Sequence, residues 1–332
     1  MRTQVRKKPA ESFPVRASDR THVPVTTKDF LSVLDLSHEE LERVLDLAAE
    51  LKQDRASGRA AFQPLAGRHV ALLFEKPSLR TRTTFMIAVR ELGGEVIEPP
   101  ADVAFGGREA VEDVARNLER WLEGAIVRTF AQERLTRFAK AAPGLHVVNA
   151  LTDEEHPCQA LADMLTMRER LGALAGSMLA FVGDGNNIAA SLAHAGALLG
   201  VNLRIASPAG YELPQPVLEA ARAVARHDAT IEVTNDVRRA VAGADAVYTD
   251  VWASMGQEDQ AGARETVFAP FQVNEALMAH AAPGALFMHC LPAHRGLEVT
   301  NGVMDSATSV VFDQAENRLH TEKALLALLM AR

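Results

Sequence analysis

Two arginines and two hydroxyl groups crowd into five residues, Ser78-Leu-Arg-Thr-Arg82. A guanidinium group presents a planar fork of donors that matches phosphate oxygens, and such charge-assisted bonds are stronger than neutral ones. If the segment also opens a helix, free backbone N–H groups and the positive end of the helix dipole join them. The chemistry on offer is the grip of a phosphate. An N-capped helix with solvated arginines fits the same five residues. Further on, Gly183-Asp-Gly-Asn-Asn187 invites a dinucleotide reading, but the third glycine of GxGxxG is replaced by Ile188. Asn186 and Asn187 could instead bind a small polar ligand or simply cap a helix. His156, Cys158, His289, Cys290 and His294 carry metal-ligating atoms, yet their spacing matches no zinc pattern, so no metal is expected. Cys290 reads either as a small buried hydrophobe or as a nucleophile.

Strands and helices must hold these residues. Val70-Ala-Leu-Leu-Phe74 is a short apolar run closed by a Pro-containing turn, the pattern of a buried strand. Phe85, Val89 and Leu92 fall on one helical face, and Gly93-Gly94 stops that helix. Ser78–Arg82 therefore sits where a strand hands over to a helix. Ser37 followed by Glu40 is a capping-box pattern opening a helix over 38–55. Beyond residue 94, the pattern predicts strands at 96–97, 124–130, 145–149, 178–182, 202–206, 230–234, 245–249, 285–289 and 308–312. Between them it predicts helices at 109–122, 132–141, 157–170, 187–199, 214–226, 236–242 and 272–281, and a last helix ending near 331. Two runs of strand–helix alternation mean an α/β fold of two Rossmann-like parallel-sheet domains joined by interdomain helices, with the helix at 157–170 as a bridge. Ligands of open parallel sheets bind beyond the carboxyl ends of the strands. Ser78–Arg82, Arg128, Gly183–Asn187, Asp250–Gln257 and His289–Leu291 all fall there.

Composition sets the outer bounds. The chain has 332 residues, 48% of them apolar and 23% charged, enough for sizeable cores and a soluble globular protein. It has no run of about 18 apolar residues, so no membrane span is expected. A net charge of -8 lacks the basic footprint of a nucleic-acid binder, while local arginines still suit a small anion. Two cysteines without a CxxC pair point to a reducing, cytoplasmic setting. Residues 1–26 read as a flexible basic tail, since no apolar stretch of a secretory signal occurs there.

Ser78-Leu-Arg-Thr-Arg82, Arg128-Thr-Phe130, His156-Pro-Cys-Gln159, Asp250-Val-Trp-Ala-Ser-Met-Gly-Gln257 and His289-Cys-Leu-Pro292 stand in the order found in the carbamoyltransferases, which the chain resembles over residues 27–332. The loop with Ser254-Met255-Gly256, followed by His289-Cys-Leu-Pro292, is similar to the ornithine branch. The aspartate branch carries other residues in that loop. The resemblance implies transfer of a carbamoyl group from carbamoyl phosphate to the δ-amine of L-ornithine, a step of the arginine-biosynthesis or urea-cycle type. It implies no cofactor and a homotrimer. It also implies a carbamoyl phosphate domain over 27–165, an ornithine domain over 166–315, and a C-terminal helix over 316–332 packing back on the first. Residue by residue, it places Ser78, Leu79, Arg80, Thr81, Arg128, His156, Gln159, Cys290, Leu291 and Arg318 at carbamoyl phosphate. It places Asn187, Asp250, Ser254 and Met255 at ornithine. Arg128 and His156 would polarise the carbamoyl oxygen, Asp250 would hold the α-ammonium group, Asn187 the α-carboxylate, and Cys290 would help take the amine proton. Leu291-Pro292 is a candidate cis peptide, because only X–Pro bonds adopt cis at low cost. Two departures stand out: Leu79 where the family often has Thr, and Ala104 where a polar side chain usually reaches a neighbouring subunit's substrate. A sister enzyme acting on an N-acylated ornithine or on putrescine is the nearest rival, and a non-catalytic homologue is the rival from another class. An intact Asp250 favours free ornithine, because an α-ammonium group needs an anion and a blocked one does not.

Overall fold

The computed structural model describes residues 24–59, 62–100, 105, 107, 109–253, 259 and 261–330. Ser37 and Glu40 build the reciprocal cap read from their spacing. The Ser37 hydroxyl accepts from the Glu40 N–H at 3.2 Å, and the Glu40 carboxylate accepts from the Ser37 N–H at 2.8 Å. This opens α1 (His38–Ser57). Glu40 also accepts from the Thr26 N–H and hydroxyl, which ties the preceding segment to the helix.

The first sheet has the order β2-β1-β3-β4, formed by β1 (His69–Phe74), β2 (Glu95–Ile97), β3 (Gly124–Arg128) and β4 (His146–Leu151). All pairs are parallel. Helices α2 (Leu79–Glu91), α3 (Val111–Leu118) and α4 (Gln132–Ala141) follow β1, β2 and β3. Every residue of β3 is buried, as expected of a strand covered on both faces. Helix α5 (Pro157–Leu171) leads to the second sheet and is buried along Pro157–Met167. A helix without a polar stripe belongs in an interior.

The second sheet has the order β7-β6-β5-β8-β9, again all parallel. Its strands are β5 (Met178–Val182), β6 (Asn202–Ala206), β7 (Ile231–Thr234), β8 (Ala246–Thr249) and β9 (Leu286–His289). The helices of eight or more residues are α6 (Asn187–Leu199), α7 (Gln215–Ala223), α8 (Ala261–Phe268) and α9 (Val311–Met330). After β9 the chain turns back, and α9 packs against α1, α2 and α5. Strand order reverses between β1 and β3 and between β5 and β8, the switch points where open α/β sheets take ligands. No helix among the described residues is long and apolar enough to cross a membrane.

Several expected boundaries shift. The strand expected at 308–312 is only a bridge between Ser309 and Phe287, and α9 begins at Val311. The β-branched pair Val310-Val311 favours a strand locally, but both side chains are buried in core packing, which overrides that preference. The strand at 124–130 ends at Arg128, and the helix at 272–281 shrinks to Glu275–Met278 behind its Asn274 cap. Helices α8 and Asn301–Met304 have no counterpart in the pattern reading. The expected tail falls mainly on residues 1–23, outside the described residues.

Candidate active site

The carboxyl ends of both sheets open onto one cavity of about 1080 Å³. Its wall includes Ser78, Leu79, Arg80, Thr81, Arg128, His156, Asn187, Asp250, Cys290, Leu291 and Arg318. Gln159, expected with them, lies behind that wall at 1% exposure and reaches it through Arg318. Ser254, Met255 and Ala104 lie outside the described residues.

At one end stands a cluster of cations. Ser78 is the N-cap of α2, but its hydroxyl makes no capping bond, so the capped-helix reading of this segment loses its main interaction. Arg82 turns away to pair with Glu98 at 2.7 Å, and Leu79 is 79% exposed, leaving its backbone for any contact here. Arg318 is buried. It donates to Thr81 Oγ1 at 3.1 Å, to Gln159 Oε1 at 3.0 Å and to Glu322 Oε1 at 2.8 Å. Burial, and then the positive charge of Arg318, lower the Arg128 pKa to about 10, and burial lowers that of Arg80 with Arg318 opposing its charge further. Cations that depress one another in this way gain when an anion arrives among them. The buried Arg128 Nε has no partner among the described residues. His156 is held well below the ordinary imidazole pKa by burial and then by Arg318 and Arg128, so the ring is neutral. Its backbone N–H donates to Ser191 Oγ at 2.9 Å, and Ser191 donates to Glu155 at 3.1 Å.

The same cavity is lined by an acidic group. Asp250 follows β8 and is 7% exposed. It accepts from the Cys290 thiol at 2.9 Å and from Asn186 Nδ2 at 2.8 Å. Asn186 also caps α6, accepting from the N–H groups of Ile188 and Ala189. Asn187 donates to the Thr152 carbonyl at 2.7 Å, joining the start of α6 to the loop after β4. Burial, with Asp250 adding to it, raises the Cys290 thiol well above its ordinary pKa. The thiol therefore keeps its proton. His289 is buried; its Nδ1 accepts from the Leu291 N–H at 2.8 Å and its Nε2 lies 3.2 Å from Glu298 Oε1. The Leu291-Pro292 peptide is cis, as the sequence suggested. Ligand-type atoms of Asp250, His289 and Cys290 lie within 4.8 Å of one another, although their spacing in sequence gave no metal pattern. They are joined instead to hydrogen-bond partners within the protein.

Sequence reasoning missed Arg264, which lies on the unread helix α8. Its guanidinium group donates to Asp184 Oδ2 and to the Trp252 carbonyl, both at 2.7 Å, and lies 5.0 Å from the Tyr211 ring centroid. It thereby fastens the start of the loop after Asp250. Gly185 is required for a different reason than a dinucleotide. A Cβ there would lie 2.4 Å from the Leu213 backbone nitrogen.

Beneath the arginines, Glu322 is fully buried, and desolvation raises its pKa to about 7 despite Arg318. The folded chain thus holds this proton more tightly than the unfolded chain. That stabilisation is complete below pH 4.5 and is lost as pH rises through about 7. Urea midpoints taken from about pH 5 to 8 should show the parent losing ground against Glu322→Gln as pH rises. A constant gap would show that Glu322 does not titrate there.

The chain matches two family models: the carbamoyl-P binding domain of aspartate/ornithine carbamoyltransferase over residues 28–169, and the Asp/Orn binding domain over residues 175–329. An ornithine carbamoyltransferase of Parasynechococcus marenigrum is 54% identical over 308 residues, covering 92% of this chain and 95% of the relative. One of Anoxybacillus flavithermus is 49% identical, covering 91% of this chain and 96% of the relative. The solved ornithine carbamoyltransferase of Pyrococcus furiosus superposes with a TM-score of 0.89 at 44% identity, covering 93% of this chain and 98% of that one. With both halves of its length matched in order, and relatives this similar over nearly all of it, the chain belongs to the aspartate/ornithine carbamoyltransferase family.

Proposed function

We propose that the protein transfers the carbamoyl group of carbamoyl phosphate to the δ-amine of L-ornithine, giving L-citrulline and phosphate. The observation that carries this reading is one cavity lined both by Arg80, Arg128 and Arg318 and by the hydrogen-bonded Asp250–Cys290 pair. The arginines, with Ser78, the Leu79 backbone and Thr81, suit a phosphate. Neutral His156 and cationic Arg128 suit the carbamoyl oxygen. Donors aimed at that oxygen strengthen as the carbon becomes tetrahedral, which is where they accelerate the reaction. The Leu291 carbonyl suits the carbamoyl NH2, and Gln159 acts by holding Arg318.

Asp250 suits the α-ammonium group of a free amino acid and has no counterpart to meet in an acylated one. Asn187 has a second amide hydrogen beyond the one on Thr152, available to the α-carboxylate, and Ser254 and Met255 complete this end in our reading. The δ-nitrogen attacks the carbonyl carbon, and the bond to the phosphate oxygen breaks. The phosphate leaving as a trianion is a far stronger base than the carbamoyl-bearing nitrogen formed by attack, so the amine proton passes to it and the products are the neutral ureido group and hydrogen phosphate. Because the thiol holds its own proton, we assign Cys290 the orientation of Asp250 and not the role of a thiolate base.

The attacking amine must be neutral, and a free alkyl amine has a pKa near ~10.4, so kcat/KM for ornithine should climb with pH through the neutral-to-alkaline range. A flat profile would count against attack by a free amine. The same reading places carbamoyl phosphate on residues 27–165 and ornithine on 166–315, with 316–332 returning to the first part. It also includes a trimer, to be checked by sedimentation, and a cytoplasmic setting that fits two unpaired thiols.

The deciding experiment supplies carbamoyl phosphate with L-ornithine, N-acetylornithine, putrescine or L-aspartate in turn and quantifies ureido product and phosphate. Citrulline from ornithine alone supports the reading. Product from another acceptor overturns its ornithine half, and no product from a folded sample overturns the transfer itself.

A further inference from the structure

Behind both ends of the cavity lies one fully buried carboxylate. Asp163, on α5, accepts through Oδ1 from Gln159 Nε2 and from Gln314 Nε2, each at 2.8 Å, and through Oδ2 from the Tyr248 hydroxyl at 3.1 Å. Each glutamine is held at its other end by a group that can only donate. Gln159 Oε1 accepts from Arg318 Nη1 at 3.0 Å, and Gln314 Oε1 accepts from the His289 backbone N–H at 3.0 Å. An amide has one accepting and one donating end. A donor fixed at one end and a carboxylate at the other therefore leave each glutamine a single orientation, set by its partners.

The three arms reach different parts of the site. Gln159 leads to Arg318 and through it to Thr81, at the cationic end. Gln314 leads to the backbone beside Cys290, and Tyr248 stands two residues before Asp250, its hydroxyl acting on the Cys290 thiol as well. Burial raises the Asp163 pKa to about 6, so at neutral pH the group is the carboxylate this arrangement needs.

We propose that Asp163 is a positioning residue for both half-sites, serving as the common acceptor that orients Gln159 behind Arg318 and Gln314 behind the His289–Leu291 turn. It touches neither substrate. It acts because one oxygen fixes two amides: Gln159 holds Arg318, which faces the cavity, and Gln314 holds the buried His289 backbone from which Cys290 and Leu291 enter it. The assignment of the two ends to carbamoyl phosphate and ornithine rests on the function proposed above.

Three physical roles can be separated by substitution. Asp163→Asn keeps an accepting oxygen toward the glutamines, and the new NH2 can donate to the Tyr248 oxygen. Asp163→Leu keeps the reach and loses the acceptor, leaving buried donors unpaired. If orientation is the role, Asp163→Asn keeps KM for carbamoyl phosphate and kcat within about threefold, whereas Asp163→Leu raises that KM and lowers kcat, each by about tenfold or more. If the negative charge matters instead, the two variants are equally damaged, and if only packing matters, both stay active; either result overturns the proposal.

Should Asp163→Leu fail to fold, Gln159→Leu and Gln314→Leu test the arms one at a time. Gln159→Leu is expected to raise KM for carbamoyl phosphate with KM for ornithine little changed, whereas Gln314→Leu, which frees the turn that carries both the Leu291 carbonyl and Cys290 beside Asp250, is expected to raise both. Equal effects of both variants on both substrates would overturn it. Citrulline synthesis by the unaltered protein is measured in the same series. Its absence would mean that the proposed function has failed; its presence with the wrong variant pattern would mean that only the role of Asp163 has failed.

Discussion

Arg80→Ala is expected to lose about three orders of magnitude in kcat/KM for carbamoyl phosphate, from charge-assisted bonds worth roughly 1.5–3 kcal/mol each. The loss should fall on both binding and turnover, because the phosphate gains charge as it leaves and the guanidinium group meets more charge in the transition state than in the ground state. Stability should not fall with activity. Arg80 is a partly desolvated cation that Arg318 repels, so its removal relieves the folded chain. The measurement is steady-state kinetics beside a thermal melt, with and without inorganic phosphate. Near-normal kinetics in a folded variant would remove the central assignment. A variant that also melts well below the parent would show that Arg80 has a structural role that its surroundings do not explain.

At the other end, Asp250→Asn should raise KM for ornithine about a hundredfold, the effect of losing a charge-assisted partner of the α-ammonium group. Carbamoyl phosphate affinity should change little, because Arg318 and Thr81 do not touch Asp250. A second readout is independent of substrate. The Asp250 charge helps to raise the Cys290 pKa, so without it the thiol should ionise at lower pH and alkylate faster at mildly alkaline pH. Slower alkylation would contradict the electrostatic coupling between these two side chains, whatever the kinetics show.

Most of the architecture was legible because parallel strands buried on both faces are written as short apolar runs. β5 at 178–182 and β6 at 202–206 coincide with their runs, and α4 at 132–141 with its amphipathic pattern. Errors arose where local preference and tertiary packing disagree, as at Val310-Val311, or where a helix has weak periodicity, as in α8. The individual site positions came through resemblance, since five residues of Ser-Leu-Arg-Thr-Arg type fit a capped helix equally well. The structure assembles most of them around one cavity.

What no motif could disclose is the layer behind. Asp163, Gln314 and Tyr248 are ordinary in sequence; only their convergence gives them a role. Asn186 reads in sequence as a ligand contact or a helix cap; it is the cap, and its further bond to Asp250 depends on how β8 lies beside β5. Arg264 was invisible because its helix was.

The return of α9 to the first sheet also sets an order in time. The bond between Thr81 and Arg318 joins residues 237 positions apart, so the cationic end of the cavity cannot be finished until almost the whole chain has left the ribosome. Contacts this distant in sequence also slow folding, because a large loop must close before they form. A chain cut after β4 carries Arg80 and Arg128 but has no Arg318 to join them. Phosphate-bearing ligands can therefore stabilise completed molecules by mass action and do little for nascent or truncated ones. In a cell that discards unfolded protein, the substrate would select for chains that have been made to the end.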